Sequence, residues 1–125
     1  MEPIYDLAGK AVGWLHAHVV YDRLNRHRAF VQTDAGFSFR HLGAVFSYRG
    51  AYLGHFDPGF FRDRAGQAVA WIQGAHSGPL PPAPQMPPAP PILPAAPLPP
   101  VVPPPPAPTP SLSWSTLTWE VFLSQ

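Results

Sequence analysis

The segment IYDLAGKAVGWL, residues 4–15, decides the fold, because three further segments of the chain repeat its pattern. The copies span residues 20–31, 45–56 and 61–72, and none of them needs an internal gap. A short unit that recurs four times predicts an assembly with internal symmetry, since one copy cannot bury its own apolar face.

An aspartate followed three positions later by glycine or asparagine predicts a turn in the middle of each unit. The aspartate side chain accepts hydrogen bonds from turn amides, and the glycine takes the left-handed conformation that a Cβ penalises. Because the aspartates repeat at one turn position, we interpret them as structural rather than as a catalytic carboxylate cluster. The turn residues are Asp6, Gly9, Asp22, Asn25, Gly50, Asp63 and Gly66, with Ser47 in place of the third aspartate.

Short apolar segments on both sides of each turn predict four β-hairpins with about eight strands. A lone hairpin is marginal in water, so the four must close on one another. A helical interpretation is weak, because glycine or asparagine interrupts each segment too early. The predicted fold is therefore all-β, a small pseudo-four-fold closed assembly of four hairpins. We expect a type I turn with a bulge to join the two strands of each hairpin.

The second strand of each hairpin alternates between two faces. Positions ten and twelve of the unit hold a small and then a large apolar residue, which suits the interior of a small barrel. Positions nine and eleven are expected on the outer face, where Val12 would accompany Trp14. The outer column is Trp14, Phe30, His55 and Trp71. These residues are either covered core or a docking platform for an extended chain or a flat ligand.

Residues 32–43 break the spacing of the repeats and are expected to add a strand or a loop lid. Unit starts lie 16 residues apart within each half of the domain and 25 apart across this insertion. It is therefore the place where something specific to this protein is expected.

Composition divides the chain into three parts. Residues 1–74, the hairpin domain, carry all charged residues except Glu120. Residues 75–110 form a proline-rich linker, which holds 18 of the 20 prolines. Proline lacks the amide donor and fixes φ, so we expect extended polyproline II there.

Residues 111–125 regain apolar side chains and are predicted to be a docking segment. Thr118 is a candidate N-cap for a short helix that begins at Trp119, whereas the alternation of apolar residues from 117 to 123 fits a strand equally well. The expected anchors are Trp114, Trp119, Phe122 and Leu123. A hairpin domain of this size is marginal alone, so this segment or oligomerisation should stabilise it.

Charge, cysteine content and hydropathy argue against several classes of function. The net charge of +1 favours neither nucleic acid nor an anionic membrane as a partner, and no cysteine is available for disulfides or zinc thiolates. No run of about 18 apolar residues exists, and the N-terminus does not resemble a signal peptide. We expect a cytoplasmic protein without a cofactor.

Candidate chemistry is sparse. His16 and His18 could begin a metal site, but no third ligand is near, so an exposed loop is the simpler interpretation. The other histidines have no serine or cysteine partner in a nucleophile context. Arg23, Arg26 and Arg28 are too few for a nucleic-acid footprint and are expected at a solvated hairpin tip.

The pattern Tyr5-Asp6-Leu7-Ala8-Gly9-Lys10-Ala11-Val12-Gly13-Trp14, its three copies and the proline-rich tail resemble the bacterial 4-fold β flower family. This resemblance implies a compact pseudo-four-fold β assembly and brings no catalytic residues. The chain departs from the ideal repeat at Ser47, His55 and Arg62. The other three units have an aromatic residue at the position of Arg62.

Two functions remain open, besides a weakly supported enzyme. The first is a non-enzymatic binding or assembly module, whose aromatic surface docks an extended proline-rich chain. That chain would be its own tail or the tail of a neighbour in a homo-oligomer. The second is an adapter whose proline-rich tract is bound by an external polyproline-recognition domain. The tract lacks the Arg or Lys that would orient such a ligand, which disfavours the second function.

Overall fold

A computed structural model describes residues 1–32, 43–57, 59–100, 102–103 and 105–125. Eight antiparallel strands form a closed barrel in which each strand pairs with its neighbours in sequence and β8 pairs with β1. The strands are β1 (Glu2–Tyr5), β2 (Ala11–His16), β3 (Val19–Asp22), β4 (His27–Gln32), β5 (Gly43–Ser47), β6 (Tyr52–Phe56), β7 (Phe60–Arg62) and β8 (Ala68–Trp71). The predicted all-β closed fold is confirmed.

Each repeat unit forms one hairpin, and its turn has the hydrogen bonds that the sequence pattern predicts. In the first hairpin, the Asp6 carboxylate accepts from the amides of Ala8 and Lys10 at 2.9 and 3.0 Å. The amide of Gly9 donates to the carbonyl of Asp6, and Gly9 has a φ of 79°. Positive φ recurs at the equivalent residues Asn25, Gly50 and Gly66.

A β-bulge in every hairpin changes which residues face the interior. Ile4 pairs with Gly13 and Tyr5 pairs with Ala11, so Val12 is an extra residue on β2. The bulge shifts the in–out alternation by one residue, and Val12 therefore joins the interior core instead of the outer face. Leu53 and Val69 occupy the same position and are also interior. The prediction that position nine faces outward was wrong for Val12, Leu53 and Val69, because strict alternation ignores the bulge.

One apolar cluster fills the interior of the barrel. It combines the first and last residues of the four units with residues from the C-terminal end of the chain. The unit residues at these positions are Ile4, Leu15, Val20, Val31, Val45, Phe56, Phe61 and Ile72.

The C-terminal segment forms a helix, α1 (Trp119–Leu123), so the strand alternative for this region was wrong. Thr118 is its N-cap, and its hydroxyl accepts from the amide of Val121 at 3.2 Å. The helix turns three large apolar side chains, Trp119, Phe122 and Leu123, into the barrel core, and a strand could place only alternate residues there.

The insertion between the second and third units lies almost wholly outside the described residues. β4 ends at Gln32 and β5 begins at Gly43, and the predicted extra strand or lid falls on residues 33–42. Among the residues that the structure does describe, no helix is long and apolar enough to cross a membrane.

Candidate functional site

Four cross-strand pairs form a ring on the outside of the barrel. Each pair joins the eleventh residue of one unit to the second residue of the next, at the seam between adjacent hairpins. The pairs are Trp14–Tyr21, Phe30–Phe46, His55–Arg62 and Trp71–Tyr5. We call this set the outer ring.

The outer ring is distributed around the barrel, so it offers no single flat platform. Trp71 packs on Tyr5 with ring centroids 4.9 Å apart, and Phe30 packs on Phe46 at 5.7 Å. Trp14, Phe30 and Trp71 are buried, and His55 is half-buried. Because these residues lie at four separate seams, they suit a long chain that passes each in turn, and a flat ligand would reach only one of them.

Sequence reasoning named one member of each pair and missed the other. The signal was the second column of the repeat, which holds Tyr5, Tyr21, Phe46 and Arg62. Three of its four members are aromatic, and Arg62 is the exception. The second and the eleventh positions of the unit are both mostly aromatic. In a closed ring of hairpins, this would have indicated pairs between the eleventh residue of one unit and the second residue of the next.

The proline-rich segment runs past all four hairpins in chain order. We call residues 77–111 the belt. The amide of Gln85 donates to the carbonyl of Gly9 in the first hairpin at 2.8 Å. Later, the amide of Ser111 donates to the carbonyl of Gly66 in the fourth hairpin at 3.1 Å.

Two side chains of the barrel donate to belt carbonyls between these points. The Tyr21 hydroxyl, in the outer ring, donates to the carbonyl of Pro94 at 2.9 Å. The Gln32 amide nitrogen donates to the carbonyl of Val102 at 2.6 Å, and Val102 packs against the cluster of Phe30 and Phe46, so the belt also contacts the third hairpin. Proline has no amide to offer, so the barrel supplies donors and the belt supplies carbonyl acceptors.

The turn glycines allow the belt to approach the barrel closely. A Cβ on Gly9 would overlap the carbonyl oxygen of Ala83, and one on Gly66 would overlap that of Thr109. Both glycines also have positive φ. The same residue type therefore permits the turn and the contact with the belt.

Arg62 joins the two ends of the belt. Only 1% of its surface is exposed, and its guanidinium donates to the carbonyls of Ser77 at 3.0 Å and Ser111 at 2.7 Å. It also donates to the carbonyls of Gly66 at 2.8 Å and Asp57 at 3.2 Å. Burial lowers the pKa of Arg62, although the charge of Asp57 opposes this effect. The residue that departs from the aromatic column is thus the cation that holds the belt.

His55, the ring partner of Arg62, is a neutral hydrogen-bonding group rather than a second cation. Burial lowers the pKa of the imidazole, and the charge of Asp57 only partly offsets this. Its Nδ1 lies 3.0 Å from the hydroxyl of Tyr52. A neutral imidazole beside Arg62 avoids the repulsion that two buried cations would have.

Trp114 anchors the end of the belt at the fourth seam. It forms a parallel bridge with Ala68 of β8 and packs against the cluster of Tyr5, Phe60 and Trp71. The amide of Ala68 donates to the carbonyl of Ser113 at 3.1 Å, and the amide of Ser115 donates to the carbonyl of Ala68 at 2.7 Å, so two backbone hydrogen bonds join this segment to β8.

The other predicted anchors lie inside the barrel. The indole of Trp119 packs edge-on against Phe61 at 5.1 Å and stacks on Phe122 at 5.6 Å. Phe122 and Leu123 are fully or almost fully buried. We call α1 with these side chains the plug, because it closes the apolar interior that the eight strands leave.

An ion-pair network fixes the plug to the second hairpin. The Arg28 guanidinium donates to both oxygens of Glu120 at 2.8 and 3.1 Å and to Asp22 at 3.2 Å. These partners raise the pKa of Arg28, and its hydrogen bonds lower the pKa of Glu120. Arg26 is mostly exposed, as expected at a hairpin tip, but Arg28 is not: its side chain is only 18% exposed. The prediction of a solvated tip was wrong for Arg28, because the plug covers it.

Asp22 holds the turn and the network together. Burial tends to raise its pKa, but hydrogen bonds from the Arg26 and Leu24 amides and from the guanidinium groups of Arg26 and Arg28 outweigh burial and lower it. The fourth hairpin repeats this arrangement with a neutral donor, since the Ser115 hydroxyl donates to Asp63 at 2.6 Å.

The described residues place no metal-ligand cluster at the histidines. Ala17 and His18, in the tight turn between β2 and β3, both have positive φ. Within the part of the chain that the structure describes, no group of three or more His, Asp or Glu side chains lies close enough to hold a metal ion. The outer ring and its neighbours present aromatic faces, neutral donors and one buried cation, and the donors point at backbone carbonyls of the belt.

Comparison with known proteins gives one result. Residues 2–123 match the family described as 4-fold beta flower protein, so the matched region includes the belt and the plug. No curated protein and no solved structure matches the chain significantly. The match covers nearly the whole chain and agrees with the four-hairpin barrel. The chain belongs to the 4-fold beta flower family.

Proposed function

We propose that the protein is a non-enzymatic binding module whose outer ring docks an extended proline-rich chain, its own tail in this conformation. The observation that carries the proposal is the course of the belt, which contacts all four hairpins in order. The barrel supplies aromatic faces and donors from Tyr21, Gln32 and Arg62, and the belt supplies carbonyls.

Physical chemistry favours a proline-rich ligand for this surface. A proline-rich chain is already stiff, so it loses little conformational entropy when it docks. Its carbonyls are strong acceptors, and the chain has few amide N–H groups of its own to satisfy them, so they remain free to accept from another surface. Its apolar rings pack on aromatic side chains, which is the usual mode of polyproline recognition.

The plug supplies most of the affinity in this proposal. Trp119, Phe122 and Leu123 are three large side chains removed from water. At about 1.5–3 kcal/mol each, their burial contributes roughly 4–9 kcal/mol before the cost of ordering the tail. A contribution of this size is comparable with the whole free energy of unfolding of a small domain, about 5–15 kcal/mol.

Deletion of residues 79–125 tests the proposal. We expect a lower melting temperature or aggregation, because the barrel core and the outer ring would become exposed. A synthetic peptide of residues 79–125, added in trans, should raise the melting temperature of the truncated chain, and the rise should grow with the logarithm of the peptide concentration above its Kd.

A matched variant separates the belt from the plug. Replacement of residues 79–110 by a Gly/Ser linker of equal length keeps the plug and removes the proline-rich contacts. If the outer ring recognises the belt, this variant melts between the full chain and the truncated chain. If the truncated chain melts as the full chain does, the tail is a free arm and an external polyproline-recognition domain becomes the better explanation.

A further inference from the structure

Half-buried residues in the second half of the belt are spaced by multiples of three. They are Leu93, Ala96, Val102, Pro105 and Pro108, and Pro99 between them is exposed. Three residues per turn is the period of the polyproline II helix, so one face of the belt lies on the barrel and two faces remain outside.

One outer face carries a regular series of large apolar side chains. Leu80, Met86, Ile92 and Leu98 are each 90–99% exposed, more than any other large apolar side chain among the described residues. They lie six residues apart, which is two turns or about 19 Å of polyproline II. We call these residues the knobs.

Small residues alternate with the knobs on the same face. Ala83, Ala89 and Ala95 lie midway between successive knobs and are exposed. We call these alanines the notches. The face therefore presents large and small apolar residues in turn, a pattern that nothing in the contact between belt and barrel requires.

We propose that the knobs and notches form a self-association surface, on which a second copy of this chain docks. A shift of three residues between two such faces sets each knob of one copy against a notch of the other. The same surface serves both copies, as a two-fold interface requires. Close packing of large against small residues gives the complementarity that specific apolar interfaces have.

Charge and geometry both favour a second copy as the occupant. Residues 75–119 carry no Asp, Glu, Lys or Arg, so two belts approach without repulsion between like charges. The three faces of a polyproline II helix lie about 120° apart, so the knobs share a face that does not contact the barrel and stays open to a second copy.

The size of the surface predicts a weak, reversible dimer. Four side chains of roughly 60–120 Å² each bury less than the roughly 800 Å² per partner of a standard interface. The inference rests on the proposed function only in that the belt must lie on the barrel, since a detached belt would not hold the knobs on one face.

Sedimentation equilibrium of the full-length chain, from about 10 μM to about 1 mM, tests the proposal. We expect the apparent mass to rise toward that of a dimer. The double variant Ile92→Ser, Leu98→Ser should weaken dimerisation by at least tenfold. The control variant Leu112→Ser removes a leucine that is 74% exposed and lies outside the belt, and it should leave dimerisation unchanged.

Filling the notches separates complementarity from apolar adhesion. Ala89→Leu with Ala95→Leu makes the face more apolar but removes the space for the opposing knobs, so we expect at least a tenfold weaker dimer. A tighter dimer in this variant would overturn the proposal, as would a wild-type chain that stays monomeric throughout the concentration range.

Amide hydrogen exchange distinguishes failure of this inference from failure of the proposed function. The Gln85 amide donates to Gly9 and exchanges slowly only when the belt lies on the barrel. A monomer with a protected Gln85 amide refutes the self-association surface alone. An unprotected Gln85 amide refutes docking of the belt and, with it, both proposals.

Discussion

Replacement of Arg62 by methionine tests whether the belt is held by a buried cation. Methionine keeps much of the aliphatic stem and removes the guanidinium. The four carbonyls that would lose their donor belong to Asp57, Gly66, Ser77 and Ser111, at 3.2, 2.8, 3.0 and 2.7 Å. Two of them, at Ser77 and Ser111, are the ends of the belt, so the variant should loosen both ends together.

The expected loss follows from two opposing contributions. Hydrogen bonds from a charged donor are worth about 1.5–3 kcal/mol each, so four give roughly 6–12 kcal/mol. Against this, methionine removes the desolvation penalty of a buried cation, which is several kcal/mol. We expect the free energy of unfolding to fall by about 3 kcal/mol, and the melting temperature by about 12 °C at roughly 4 °C per kcal/mol.

Thermal and urea unfolding would measure this loss against a matched control. Arg49→Met removes an exposed arginine whose guanidinium donates to the carbonyl of Gln125, and it should change stability by less than about 0.5 kcal/mol. Arg62→Lys keeps the charge but cannot reach four acceptors, so its melting temperature should lie between those of wild type and Arg62→Met. Equal melting temperatures for Arg62→Met and Arg49→Met would refute the role of Arg62.

Three further predictions concern a turn, the plug and pH. Gly66→Val should lower the free energy of unfolding by more than about 1 kcal/mol, because Gly66 has a positive φ and a Cβ would meet the Thr109 carbonyl. The control Gly74→Val has a positive φ but open space around the Cβ, so it should lower stability less. Equal melting temperatures for the two variants would argue against the contact of Gly66 with the belt. In urea unfolding, Trp119→Ala should lower the free energy of unfolding by about 3–5 kcal/mol. Trp119→Phe should leave it almost unchanged, because the indole N–H has no hydrogen-bond partner among the described residues. A large loss of stability in Trp119→Phe would contradict this expectation. Burial lowers the pKa of His55 below 6.5, so the unfolded chain takes up its proton first: stability should be full above pH 6.5 and fall as the pH decreases through the folded-state pKa. His55→Gln should remove that part of the pH profile of the melting temperature.

Much of the architecture could be predicted from the repeat, because turn chemistry is local. An aspartate accepts from amides two and four residues ahead, and glycine takes a positive φ, whatever the remainder of the chain does. Four such turns at regular spacing are compatible with few folds other than a closed ring of hairpins. The N-cap at Thr118 could also be predicted from the sequence, because capping depends only on residues within one turn of the helix.

The faces of the strands could be predicted only in part. Strict alternation placed Leu15 inside and Trp14 outside, as they are, but it placed Val12 outside as well. A bulge adds one residue to one strand without a distinctive side chain, so a pattern with period two cannot locate it.

The candidate site combines local and non-local information. The column of Trp14, Phe30, His55 and Trp71 was visible in the repeat, yet their partners lie in the neighbouring units and are joined to them only by barrel closure. The use of Arg62 was not predictable, because its acceptors at Ser77 and Ser111 belong to a segment without turn or strand signals.

The sequence by itself determined the four hairpins, their turns and the division into barrel, proline-rich segment and apolar end, since each depends on residues a few positions apart. Tertiary structure alone decided where the proline-rich segment lies, that the plug is a helix rather than a strand, and that Arg28 is covered by Glu120. These choices depend on how much apolar surface and how many acceptors each arrangement brings together. Those quantities do not exist until the barrel has closed and offers an interior and an outer ring.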